Sequence, residues 1–192
     1  MTIKSMLQLL EQADASLPDN STQEITPADV RVMIKDFIDS VTPAYGTMQL
    51  ANLSKTLNAT PSKIAPFSSS FGATPNYFST NLTDATVTRL VANGGVAGAS
   101  DNVVISGSVS GANNANVLVR LFKNGAPTSY VTSVTCSGAG DDQGFSLVAL
   151  AYTDAGDGDA IYDLRASSSA AGTFVFKDIS VIIQAIPVRS YV

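Results

Sequence analysis

The residues that could do chemistry in this chain are few. The run Asp154-Ala-Gly-Asp-Gly-Asp159 sets Asp154, Asp157 and Asp159 in a glycine-rich turn. Carboxylates grouped with backbone carbonyls are the oxygen donors that a calcium ion takes. The run has neither the loop frame nor the closing bidentate Glu of an EF-hand, so a plain polar turn is the expectation and calcium the lesser alternative. Gly138-Ala-Gly-Asp-Asp-Gln-Gly144 has the glycines of a phosphate loop. Asp141 and Asp142 stand in its middle, however, and no helical pattern follows to supply N-terminal amides. The chain contains no histidine, which removes Ser-His-Asp and Cys-His nucleophiles, histidine zinc sites and histidine acid–base catalysis. A carboxylate pair working on a glycosidic bond would need two acids about 5 to 10 Å apart across a cleft, and no constellation of acids points to one. The expectation is a protein with no catalytic residue, no metal and no cofactor.

Composition narrows the partners. Of the 192 residues 45% are hydrophobic and 14% charged, where soluble domains ordinarily carry about 25% charged residues. Ser, Thr, Asn, Gly and Ala fill the difference, a surface chemistry suited to all-β virion and extracellular proteins and to surface buried in an oligomer. The net charge is −5 and the 11 Lys and Arg are scattered singly, which argues against nucleic acid, whose phosphates call for clustered cations. No apolar run is long enough to span a membrane as a helix. The single cysteine, Cys136, makes no intrachain disulfide and is read as a small buried residue of a strand. Asn-X-Ser/Thr triplets at Asn20, Asn52, Asn58 and Asn81 are expected by chance at this content of Asn, Ser and Thr.

The elements fall into an N-terminal helical region, 1–44, and a β region, 45–192. Ile3, Met6, Leu7 and Leu10 recur on one helical face, and a turn-forming stretch with Pro18 ends that segment. A second helix is predicted over Thr26–Val41. Thr26 is its N-cap, Pro27 occupies the first helical position, Asp29 completes a capping box, and Thr42-Pro43 stops it. Val30, Met33, Ile34, Phe37, Ile38 and Val41 make an apolar stripe. A helix of this length is marginal alone. Its stripe, with Val30, Met33, Ile34, Phe37 and Val41 as the candidate assembly interface, needs either the protein's own body or copies of itself.

Behind it, short apolar runs separated by turns predict strands near 46–52, 62–71, 84–92, 102–109, 115–123, 128–136, 144–152, 160–167 and 172–186. Asn124-Gly125 after Val117-Leu-Val-Arg-Leu-Phe-Lys123 is a strong hairpin signal. Strands at this spacing read as a sandwich or jelly roll.

Two resemblances follow from these residues. Ile25-Thr-Pro-Ala-Asp-Val-Arg31 through Phe37-Ile-Asp-Ser40 resembles a helix common in tailed-bacteriophage fibre and appendage proteins, where it stands upstream of a shaft or a trimeric β head. Val117–Gly125, Asp157-Gly-Asp-Ala-Ile-Tyr-Asp-Leu-Arg165 and Phe174-Val-Phe-Lys-Asp-Ile-Ser-Val-Ile-Ile183 are similar to the TNF/C1q-like jelly rolls that phages use as fibre heads. The resemblance implies a mainly β chain with an antiparallel jelly-roll sandwich, a homotrimer joined through one apolar sheet face, and a structural role in the virion as a short tail or head fibre. The partners it implies are the chain itself and other virion proteins of tail, portal, adaptor or capsid. Host surface glycan is a further candidate. A capsid decoration protein and a receptor- or carbohydrate-binding module without a shaft are the alternatives. Tyr130, Phe145, Tyr152, Tyr162, Phe174 and Phe176 supply ample large side chains, each expected more often in the core than at an interface.

Overall fold

Period-two alternation of apolar and polar residues, which sets successive side chains on opposite faces of a strand, builds almost everything seen in the computed structural model. The structure describes residues 29–34, 44–74, 77–90, 99–153 and 158–186. Ten strands run in chain order: β1 (Ala44–Leu57), β2 (Ser62–Lys63), β3 (Phe78–Asn81), β4 (Thr86–Arg89), β5 (Ala99–Ser110), β6 (Asn116–Lys123), β7 (Ala126–Thr135), β8 (Gln143–Thr153), β9 (Ala160–Ser168) and β10 (Gly172–Ile186). On β6, Val117, Val119 and Leu121 point inward and are buried while Asn116 and Leu118 face out.

The strands form two antiparallel sheets. One has the order β1-β10-β5-β8, and the other runs β3-β4-β9-β6-β7 with β2 also paired to β9. Most connections cross from one sheet to the other; β3–β4 and β6–β7 are the neighbours in sequence that also pair. That alternation between sheets is the jelly-roll sandwich the sequence led us to expect. Between the sheets lies a core that includes Met48, Ile105, Tyr162, Leu164, Phe174, Phe176 and Ile183, all essentially inaccessible.

The expected Asn124-Gly125 hairpin is present. Both residues have positive φ, 51° and 76°, as the type I′ turn requires, and Lys123 pairs with Ala126 across it. Asn124 also reaches sideways, its Oδ1 accepting a bond from Ile161 N at 2.7 Å.

Two expectations are corrected. The strand near 62–71 is only Ser62–Lys63, because Pro66, preceded by a cis bond from Ala65, cannot donate to a ladder. The chain instead runs as a strap along the edge of β1. Gln49 N donates to Ser69 O at 2.7 Å, Ser68 N donates to Gln49 O at 2.8 Å, and Thr74 N donates to Tyr45 O at 2.8 Å. Thr47 Oγ1 accepts from Phe71 N at 2.9 Å and donates to Gly72 O at 3.1 Å. An otherwise open sheet edge is thereby covered. The strand near 84–92 is shorter, Thr86–Arg89, because Ala85 has a φ of 53° in the preceding turn. Its partner β3, Phe-Ser-Thr-Asn, has no apolar alternation to announce it.

Candidate functional site: uncharged rows on an outer sheet face

Three strands of the β1-β10-β5-β8 sheet contain apolar runs without alternation: Val103-Val-Ile105 in β5, Leu147-Val-Ala-Leu-Ala151 in β8 and Val181-Ile-Ile183 in β10. Such runs belong to strands covered on both faces. Inward go Val103, Ile105, Leu147, Ala149, Ala151, Val181 and Ile183, which are buried. The residues between them must point outward.

Register shows what they form there. Thr47, Ile182, Val104 and Val148 stand in one row across the four strands. The row on one side is Tyr45, Gln184, Asn102 and Leu150, and on the other Gln49, Ser180, Ser106 and Ser146. No member of the three rows is charged. Exposure is greatest at β8, 64% for Val148 and 57% for Leu150, and lower on the middle strands, 37% for Val104 and 39% for Ile182. At the far edge, exposed Tyr45 lies on β1, whose edge the strap covers, and Phe71 of that strap is 70% exposed. An uncharged face crossed by the apolar row Ile182, Val104 and Val148 has the depletion of charge found at the centre of a protein–protein interface.

Of the six predicted aromatics five are elsewhere, and the side chain of Tyr152 lies outside what the structure describes. Phe145, Tyr162, Phe174 and Phe176 are buried in the core and Tyr130 is half-buried, its hydroxyl donating to Leu150 O at 2.5 Å. The outward aliphatics were missed as site residues, although the unbroken run Leu147–Ala151 was their signal. In the N-terminal region residues 29–34 are helical, with Val30 and Ile34 exposed and Met33 half-buried. Phe37 and Val41 lie outside the described residues, as do Asp154 and Asp157. Asp159 is exposed. Among the described residues no group of three or more Cys, Asp or Glu is placed to hold a metal ion.

The titratable groups inside the sandwich are structural. Asp101 on β5 is fully buried; its Oδ2 accepts from Tyr162 Oη at 2.6 Å and its Oδ1 lies 3.3 Å from Arg89 Nη1. Desolvation raises its carboxyl above the usual range, against the lowering pull of Arg89 and of the tyrosine bond. No solvent reaches this carboxylate, so it cannot serve a substrate. Cys136, just past β7, is likewise fully buried, and burial pushes its thiol up, opposite to a reactive cysteine.

No protein-family model matches the chain, and no characterised protein matches it at the level of sequence. Among solved structures it is similar to the globular domain of zebrafish complement 1qA protein, with 12% identity over 74% of this chain and 95% of that one and a TM-score of 0.45. It is similar to the PRD1 vertex protein P5, again at 12% identity, over 74% and 94% of the two chains, with a TM-score of 0.45. Murine APRIL gives 7% identity over 73% and 98%, with a TM-score of 0.39. At these values the likeness is one of general architecture, and the jelly roll rests on the strand order and register described above.

Proposed function

We propose that this chain is a non-catalytic structural protein of a phage particle, a short homotrimeric appendage whose jelly-roll head, 45–192, is held to the virion by its N-terminal helical region, 1–44. The observation that carries the self-association is the set of three uncharged rows on the outer face of the β1-β10-β5-β8 sheet, which ends at the Lys177–Asp142 ion pair. The exposed apolar residues of this face are not spread evenly. Val148 and Leu150 are the most exposed at β8, and Tyr45 and Phe71 are exposed at the β1 edge. Two different pairs at opposite edges favour a heterologous contact, in which one copy's first pair meets its neighbour's second, and such contacts close into rings. The trimer is the ring that the jelly-roll resemblance implies. The virion role is supported by the resemblance of Ile25–Arg31 to appendage helices and by a composition poor in charge and devoid of histidine.

Sedimentation equilibrium of the purified protein tests the assembly. The expected mass is three times the 19.9 kDa of one chain, and the double variant Val148→Lys, Leu150→Lys is expected to sediment as a folded monomer. A wild-type monomer at micromolar concentration would sink the proposal. Deleting residues 1–41 separates head from anchor: the truncated protein is expected to trimerise yet fail to join particles, and incorporation at wild-type level would refute the anchoring role.

A further inference from the structure

The outer face of the second sheet differs in kind. Register sets Lys63 of β2 opposite Arg165 of β9, Arg165 opposite Arg120 of β6, and Arg120 opposite Val131 of β7. Residues directly opposed in an antiparallel pair share a face, with side chains about 5 Å apart at their base. Three of the chain's 11 Lys and Arg therefore stand in one row, brought together from distant parts of a sequence in which they look isolated. Like charges directly opposite one another destabilise a sheet, so their neutralisation has to be accounted for.

Two of the three are neutralised within the chain. Lys63 Nζ lies 2.9 Å from each carboxylate oxygen of Asp84. Arg165 grips Asp163 at two points, Nε to Oδ1 at 2.6 Å and Nη2 to Oδ2 at 3.1 Å, and its guanidinium lies 4.2 Å from the centre of the Phe122 ring. The plane of Arg165 is thus set by a bidentate pair and by stacking. Arg120 is different. It is half-buried and makes no hydrogen bond or ion pair with any described residue. Among the described residues three cations in this row face two carboxylates, and the positive charge left unbalanced is that of Arg120. Beside Arg120 on the same face are Val131, 39% exposed, and Leu118, 37% exposed.

We propose that Arg120, flanked by Leu118 and Val131 and backed by the fixed guanidinium of Arg165, binds a carboxylated sugar of the uronic-acid type. A free guanidinium fork matches a carboxylate through two parallel bonds. One unbalanced charge suits a monoanion better than a phosphate dianion. The two aliphatic side chains supply an apolar bed for the C–H face of a pyranose ring. Phe122 is buried beneath Arg165, so ring stacking plays no part and the sugar is held by charge and aliphatic contact. The site lies on the sheet opposite the proposed self-association face, so it does not depend on the oligomeric reading.

An amide-resolved NMR titration of the full chain at low salt tests this, using trigalacturonate, a neutral galactose trisaccharide and inorganic phosphate as probes. Trigalacturonate is expected to shift the amides around Leu118, Arg120 and Val131. Arg120→Gln, which breaks no hydrogen bond or ion pair among the described residues, is expected to keep the wild-type spectrum elsewhere and to lose at least about tenfold in affinity. Lys177→Gln, on the other sheet, is expected to bind as wild type. The proposal is overturned if trigalacturonate shifts nothing, if Arg120→Gln binds equally well, if the neutral sugar binds as tightly, or if phosphate competes at equal concentration.

Discussion

Tyr162 on β9 donates its hydroxyl to Asp101 on β5 across the sandwich, a 2.6 Å bond between the two sheets in a place no water reaches. Arg89, on β4 beside Tyr162, brings its buried guanidinium within 3.3 Å of the same carboxylate. A buried charge is tolerated only where it is paired and hydrogen-bonded. The three groups therefore stand or fall together and fix how the sheets sit at this end.

Removing either end of that strut should be costly, unequally. Tyr162→Phe forfeits one hydrogen bond to a charged acceptor and is expected to lower stability by roughly 1.5–3 kcal/mol. Asp101→Asn strands the Arg89 cation and is expected to lose roughly 3–5 kcal/mol. The folded carboxyl of Asp101 lies above its ordinary value of 3.8, so the folded state holds its proton the more tightly. Its contribution is fully present below that value and lost as pH rises through the folded one. The Asp101→Asn penalty should accordingly be larger at pH 3.5 than at pH 7, measured by urea unfolding at both; an equal or smaller penalty in acid contradicts the raised pKa.

The β6–β7 turn offers a local test. Gly125 has a φ of 76°, a region that costs a residue with a Cβ about 1–2 kcal/mol. Gly125→Ala should lower stability by that amount. Asn124→Ala should cost more than its own backbone strain, because it also removes the acceptor of Ile161 N. Thermal melts of the two variants give the comparison.

One hydroxyl adds two bonds to the backbone bonds that hold the strap on β1. Thr47→Val keeps the shape but removes the acceptor of Phe71 N and the donor to Gly72 O, an expected loss of about 1–3 kcal/mol. Limited proteolysis should cut the variant faster within 68–74 while β5 to β10 resist as before. Unchanged cleavage there would show that backbone bonds alone hold the strap.

Cys136 should be silent in the native protein. Its thiol is fully buried with a raised pKa, and only the thiolate reacts. Alkylation by iodoacetamide at pH 8 is expected to follow global unfolding, reaching completion only in denaturant.

Much of this architecture was legible in the residues themselves. Apolar alternation in Val117–Leu121, the Asn124-Gly125 turn and the runs at Val103, Leu147 and Val181 are local properties, fixed by period-two side-chain placement and by the few residues that tolerate positive φ. The absence of histidine is likewise settled by reading the chain. Three things required the closed sandwich. Phe174 and Phe176 went to the core while Val148 and Leu150 faced out, because a one-residue change of register exchanges the faces of a strand and register is set only when the sheets meet. The stretch read as a strand near 62–71 became, beyond Lys63, a strap because proline denied it a ladder and β1 offered an edge. Lys63, Arg120 and Arg165, scattered singly in sequence, became one row because β2, β9 and β6 are neighbours only in the folded sheet.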